Sequence, residues 1–264
     1  MKDMKNINKY LCIAGAGGLM LFASLAARAL PVLQLDIVGG TYDNGTETVI
    51  STDTSLSLIA YGLLDGNSGN PSDGGKTADT TTTYYVSAAV TPKQVETTPG
   101  PDIGSFDFNG TTYDIDDMTY GTAPLDSALM GWDGGDLAKH DIFETYFIQF
   151  AFNFSESMTR NFVNTQDNPG TDPAANSGST LYYVPFDIDV SNLGEDYGLH
   201  FDLYDTVVAT CKKNQNCDTE VDAGNFAPFS HDAEYRVPEP APLALLGIVL
   251  LGLVITSRRR HDSI

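Results

Sequence analysis

The chain has 264 residues, with 35 acidic side chains against 14 basic ones and a formal charge of −21. An acid excess of this size excludes nucleic acid as a direct partner, because phosphate binding needs clustered Lys and Arg. At 42% hydrophobic and 10% aromatic residues the chain can bury a core, which excludes global disorder.

The chain opens with Lys2, Lys5 and Lys9, followed from Leu11 to Ala27 by an uncharged stretch rich in Leu, Ala and Gly. Ala27-Arg28-Ala29 then places small residues at the −3 and −1 positions of a cleavage point before Leu30. A basic segment, an apolar run and an A-x-A site in that order read as a secretory signal over residues 1–29, handled by the Sec export machinery. An uncleaved anchor helix is the alternative, although the apolar run is short for a bilayer span.

Residues 30–237 alternate with period two and carry turn residues at short intervals, which predicts strands. Leu33-Gln34-Leu35-Asp36-Ile37 forms the first, ended by Gly39-Gly40, and Leu56 to Leu64 is a second apolar stretch. Thr82 to Thr91 places Tyr84, Val86, Ala88 and Val90 on one face. Phe106 to Tyr113 predicts a hairpin, because Asn109-Gly110 separates two alternating runs. Ile142 to Phe154 is the clearest strand, with Ile142, Tyr146, Ile148, Phe150, Phe152 and Phe154 on one face and Glu144 interrupting it near the strand's start. Leu181 to Val190 turns Tyr182, Val184, Phe186, Ile188 and Val190 inward, and Leu199, Phe201 and Leu203 line one side of the next strand. Turn clusters fall at 65–75, 92–104 and 165–178. The fold class expected is all-β: eight or more strands in a single antiparallel β-sandwich, jelly-roll-like, over 30–237, with a barrel as the alternative.

The segment 238–264 is a second address. Val237-Pro238-Glu239-Pro240 leads into an apolar run from Leu243 to Ile255, and Arg258-Arg259-Arg260 follow. The run is marginal for a bilayer span, and the arginines are expected to stay cytoplasmic, so a transmembrane helix over 242–257 is predicted. Pro-Glu-Pro, a short apolar helix and an arginine cluster closely resemble the PEP-CTERM sorting domain. That resemblance implies a Gram-negative envelope, surface or biofilm-matrix protein with a membrane-held precursor. It also implies recognition by an exosortase, with the tail removed near Pro-Glu-Pro. An ordinary single-pass anchor after a proline-rich stalk is the alternative.

Export leaves Cys211 and Cys217, five residues apart, in an oxidising compartment, where they read as one small disulfide loop. A metal site there lacks nearby His or Cys partners. The segments 33–43, 104–110, 142–147, 199–204 and 226–233 together resemble the choice-of-anchor N family. This implies a surface domain of undetermined activity, and it supplies no catalytic residues to transfer.

For chemistry, the aspartates are the distinctive supply. Asp114, Asp116 and Asp117, and Asp133 with Asp136, crowd carboxylates beside flexible backbone, and oxygen ligands of this kind suit Ca²⁺. Neither cluster fits the EF-hand loop, and solvated loop acid is the plainer reading. Glu144 reads as either a groove carboxylate or a strand-rim acid. Ser230-His231-Asp232 is no triad, because a triad assembles in space. No nucleophile elbow, phosphate loop or H-E-x-x-H occurs. Trp132 and the tyrosine pairs can stack on sugars, but aromatics in a sandwich are usually core. The chain is therefore expected to be a non-enzymatic structural or binding module beside extracellular polysaccharide. The alternatives are a secreted carbohydrate-active hydrolase and a Ca²⁺-dependent lectin-like module. Residues 30–237 hold 32 acids and 7 bases, so the acid load sits in the folded domain and favours solubility and cation binding.

Overall fold

The computed structural model describes residues 32–64, 77–123, 144–209, 220–227 and 231–237. The signal 1–29, the sorting residues Pro238, Glu239, Pro240, Arg258, Arg259 and Arg260, and Cys211, Cys217, Trp132, Asp133 and Asp136 lie outside them. Among the described residues the protein is all-β, with no helix of seven residues or more. None of the described helices is long and apolar enough to cross a membrane.

Two sheets form. The smaller holds β1 (Leu33–Ile37), β4 (Ser55–Leu63), β6 (Ser105–Phe108), β7 (Thr111–Asp114), β10 (Thr159–Arg160) and β11 (Leu181–Asp189). Its order is β1-β4-β11-β6-β7, with β10 also on β11. The larger holds β2 (Thr41–Asp43), β3 (Thr48–Ser51), β5 (Tyr84–Thr91), β8 (Thr119–Gly121), β9 (Thr145–Phe152), β12 (Gly198–Ala209), β13 (Glu220–Phe226) and β14 (Ala233–Tyr235). Its order is β2-β3-β14-β12-β5-β9-β8, with β13 also on β12. The expected antiparallel pairing holds except between β14 and β3, which run parallel. These two strands come from opposite ends of the domain, so no tight hairpin forces them antiparallel.

Alternation places the core where the sequence puts it. Tyr84, Val86, Ala88 and Val90 of β5 are buried, as are Leu199, Phe201 and Leu203 of β12. Asn109 and Gly110 both take positive φ, 50° and 78°, which a two-residue primed turn between β6 and β7 requires. The strand expected over 142–154 is paired from Thr145 to Phe152, and Glu144 lies exposed just before it, at the rim.

An aromatic row joins the sheets. Phe108 of the smaller sheet stacks on Phe150 of the larger at 3.7 Å, and Phe186 meets Phe152 edge-on at 5.2 Å. Phe154 continues the row, 4.8 Å from Tyr84 and 5.8 Å from Tyr182. Such contacts add to the hydrophobic gain of burial.

Part of the smaller sheet is also covered on its far face. Ile59, Tyr61, Leu63 and Leu181 pack there with Val163, which precedes the segment expected as a turn cluster. Thr165 is fully buried, so the start of that segment is part of a cover rather than a solvated turn. Gly170 fits against the first turn of the chain: its φ is +74°, and a Cβ there would come within 2.5 Å of the Gly40 carbonyl oxygen.

Phe108→Ala should remove the centre of the aromatic row and cost about 3–5 kcal/mol in urea unfolding. Val95→Ala, at a residue 74% exposed, should change stability by less than about 0.5 kcal/mol. Similar losses in both variants would contradict the assignment of the core.

Candidate functional site

Where both faces of a strand are covered, as on β1, polar side chains on the far face are buried and need partners. On β1, Leu33, Leu35 and Ile37 enter the core, so Gln34 and Asp36 point the other way, and both are fully buried. The Gln34 side-chain amide donates to the Val163 carbonyl at 3.0 Å and accepts from the Thr165 N–H at 3.0 Å. Asp36 accepts from the backbone N–H groups of Gly170 at 2.7 Å, Thr171 at 3.3 Å and its own neighbour Ile37 at 2.9 Å. Arg160 is buried beside them, donating to the Tyr61 hydroxyl at 2.9 Å with its guanidinium 5.3 Å from that ring's centre. This cluster is structural: its polar atoms are spent on backbone groups of the covering segment.

The second cluster lies on the larger sheet. Leu199, Phe201 and Leu203 seal one face of β12, so His200 and Asp202 share the opposite face. The register pairs His200 with Glu234 and Phe201 with Ala233, which brings Asp232 level with Asp202 on that same face. His200 Nε2 lies 3.3 Å from Asp202 Oδ1 and 4.0 Å from Asp232 Oδ2. The side chains of Asp202 and Asp232 are only 6% and 2% exposed, and His200 is 19% exposed. Ser87, opposite Asp202 on β5, donates its hydroxyl to Asp202 Oδ2 at 3.2 Å and holds the carboxylate's orientation. Burial lowers the pKa of His200, but the Asp202, Asp232 and Glu234 carboxylates outweigh it and raise it to about 9. Without a bound cation, the imidazole therefore carries a proton at neutral pH.

Among the described residues, this is the group of His and carboxylate side chains whose donor atoms converge within 4.8 Å. Asp114, Asp116 and Asp117, expected as calcium ligands, do not converge in this way. They surround a three-residue 3-10 turn, Ile115–Asp117. The Asp114 carboxylate accepts from the Asp116 N–H, and the Asp117 carboxylate accepts from the Asp114 N–H, so both act as caps. His231 and Asp232 turn to different partners: His231 Nε2 is 3.2 Å from Asn164 Oδ1, while Asp232 faces His200. The sequence signal for the cluster was His200-Phe201-Asp202 on a strand whose other face is apolar. Asp232 could not be added from spacing, because it lies thirty residues further on and joins only through the β14 register.

Comparison with known proteins finds no matching family model, no matching curated protein and no matching solved structure.

The Asp36 cluster gives a pH prediction. Burial pushes the Asp36 carboxyl up to about 7, against the Gly170, Thr171 and Ile37 N–H groups and the Arg160 charge, which pull it down. The folded protein then holds a proton that the unfolded chain releases near the ordinary value of 3.8. Stability from this group is complete below about pH 4 and is lost as pH rises towards about 7. Urea titrations between pH 4 and 8 should show Asp36→Asn losing less stability than wild type, with a slope smaller by close to one proton. Parallel curves would contradict this origin.

Proposed function

We propose that the chain is an exported, non-enzymatic module of the bacterial cell surface or its polysaccharide matrix, sorted by an exosortase through Pro238-Glu239-Pro240. A jelly-roll-like sandwich serves as its folded body, and Cys211 and Cys217 close a disulfide loop. The observation that supports the reading is the place of the last described strand. The last described strand, β14, ends at Tyr235, and Val237 still packs against the core. Arg236 bonds Asp43 and Glu234, both at 2.6 Å, and so ties the exit of the domain to β2. All described strands thus precede the Pro-Glu-Pro element, and a cut there leaves the sandwich whole.

The acid-rich surface disfavours direct contact with anionic polysaccharide and favours contact bridged by divalent cations.

Replacing Pro238, Glu239 and Pro240 with alanine in the native host should leave a larger, unprocessed form in the inner-membrane fraction. The same mobility and the same location as wild type on an immunoblot would overturn the sorting assignment.

A further inference from the structure

From the His200, Asp202 and Asp232 cluster we infer that the protein binds one first-row divalent cation of the Zn²⁺ class. The ligands are His200 Nε2 and one oxygen from each carboxylate. This goes beyond the surface-module reading and holds however the chain is sorted.

Spacing is the first support. Zn²⁺ binds nitrogen and oxygen at about 2.0–2.2 Å, which sets tetrahedral ligand atoms about 3.4 Å apart. The imidazole nitrogen already lies 3.3 Å from Asp202 Oδ1 and 4.0 Å from Asp232 Oδ2. All three donor atoms lie within 4.8 Å of one another, so the set closes by drawing Asp232 inward.

Bonding at the nitrogen is the second. His200 Nε2 is fully buried and makes no well-aligned hydrogen bond, even with Asp202 so close. A buried nitrogen beside two carboxylates, with no well-aligned partner of its own, is a position a cation can take by displacing the proton.

Charge is the third. The two buried carboxylates bring two negative charges to one small space. A divalent cation with neutral imidazole brings two positive ones, and the triad's own sum becomes zero. In a buried site this balance favours the cation.

The donor set decides the class of ion. Imidazole suits Zn²⁺ and its neighbours, whereas Ca²⁺ and Mg²⁺ take oxygen. The site therefore differs from the calcium clusters expected on the aspartate loops. Glu234 shares the face, but its carboxylate is held by Arg236 at 2.6 Å, so it is not counted as a ligand. Ser87 orients Asp202 from behind and is a positioning residue. The bound ion would join β12 to the segment entering β14, the strand from which the chain leaves the domain.

The test uses the full chain in detergent, stripped with EDTA and then loaded with Zn²⁺ or Co²⁺. One Zn²⁺ per chain should survive gel filtration, and Zn²⁺ should raise the melting temperature by mass action, while equimolar Ca²⁺ should not. Co²⁺ should give visible d–d absorption without a thiolate charge-transfer band. His200→Gln should weaken Zn²⁺ binding at least about 100-fold, and Ser87→Ala about 10- to 100-fold. Replacing Asp114, Asp116 and Asp117 together with Asn should leave binding unchanged. Circular dichroism checks that each variant folds. If His200→Gln does not fold, X-ray absorption at the zinc edge of the wild type decides, and one imidazole with oxygen neighbours is expected. Absence of retained zinc, sulfur in the shell, or undiminished uptake by folded His200→Gln would overturn the proposal.

Discussion

Covering both faces of β1 and of the middle of β12 is the constraint on which the rest of this structure depends. A strand buried on one side only can send every second residue to water. Here β1 has no exposed residue, and β12 is closed over Asp202 and Tyr204 as well as over Phe201. Period two therefore delivers polar side chains into dry surroundings, where an unmet hydrogen bond or charge costs several kcal/mol. Each such side chain has to be answered by something built in. Gln34 and Asp36 are answered by backbone N–H and C=O groups of the covering segment, and Arg160 by a tyrosine hydroxyl and ring. His200 faces Asp202 and Asp232, and Ser87 also holds Asp202.

The two clusters meet the same constraint with different consequences. In the first, neutral backbone dipoles satisfy a single carboxylate, and the product is adhesion: the segment after β10 is held down on β4 and β11. In the second, three ionisable groups meet on one face of the larger sheet. That arrangement is costly as a mere salt bridge, since desolvation offsets much of the attraction. It becomes favourable if a cation takes the centre. Buried carboxylates around an imidazole are therefore a functional signal, whereas buried carboxylates around N–H groups are a structural one.

Much of the fold was legible in the sequence, and the reasons are local. Alternation in β5, β9, β11 and β12 is strong because one face of each enters a large aromatic core. Asn109-Gly110 is legible because few other pairs accept positive φ twice. Pairing was not legible. β14 has three residues and no periodicity to read, and its parallel partner β3 lies far away in the chain. The segment after Thr165 reads as a turn from its Gly, Pro, Asn and Asp, yet its opening residues are held by Gln34 and Asp36, whose burial no local pattern announces. The site shows the same split. His200 and Asp202 declare themselves by sharing a face, while Asp232 enters through register alone. The aspartate-rich run at 114–117 drew notice by composition, but its carboxylates are used as caps. Acid count is a poor guide to a metal site, because exposed acids are solvated or spent on nearby N–H groups.

The last described strand and the His200 cluster meet at one place. Arg236 and β14 hold the chain's exit to the larger sheet, and Asp232 lies at the start of that same strand. A cation at His200 would reinforce the last described strand of the larger sheet. The most direct measurement is an anomalous difference map at the zinc edge from crystals grown with Zn²⁺. The account predicts one strong peak between His200 Nε2 and the Asp202 and Asp232 carboxylates. A map with no peak there, while zinc appears elsewhere on the chain, would contradict it.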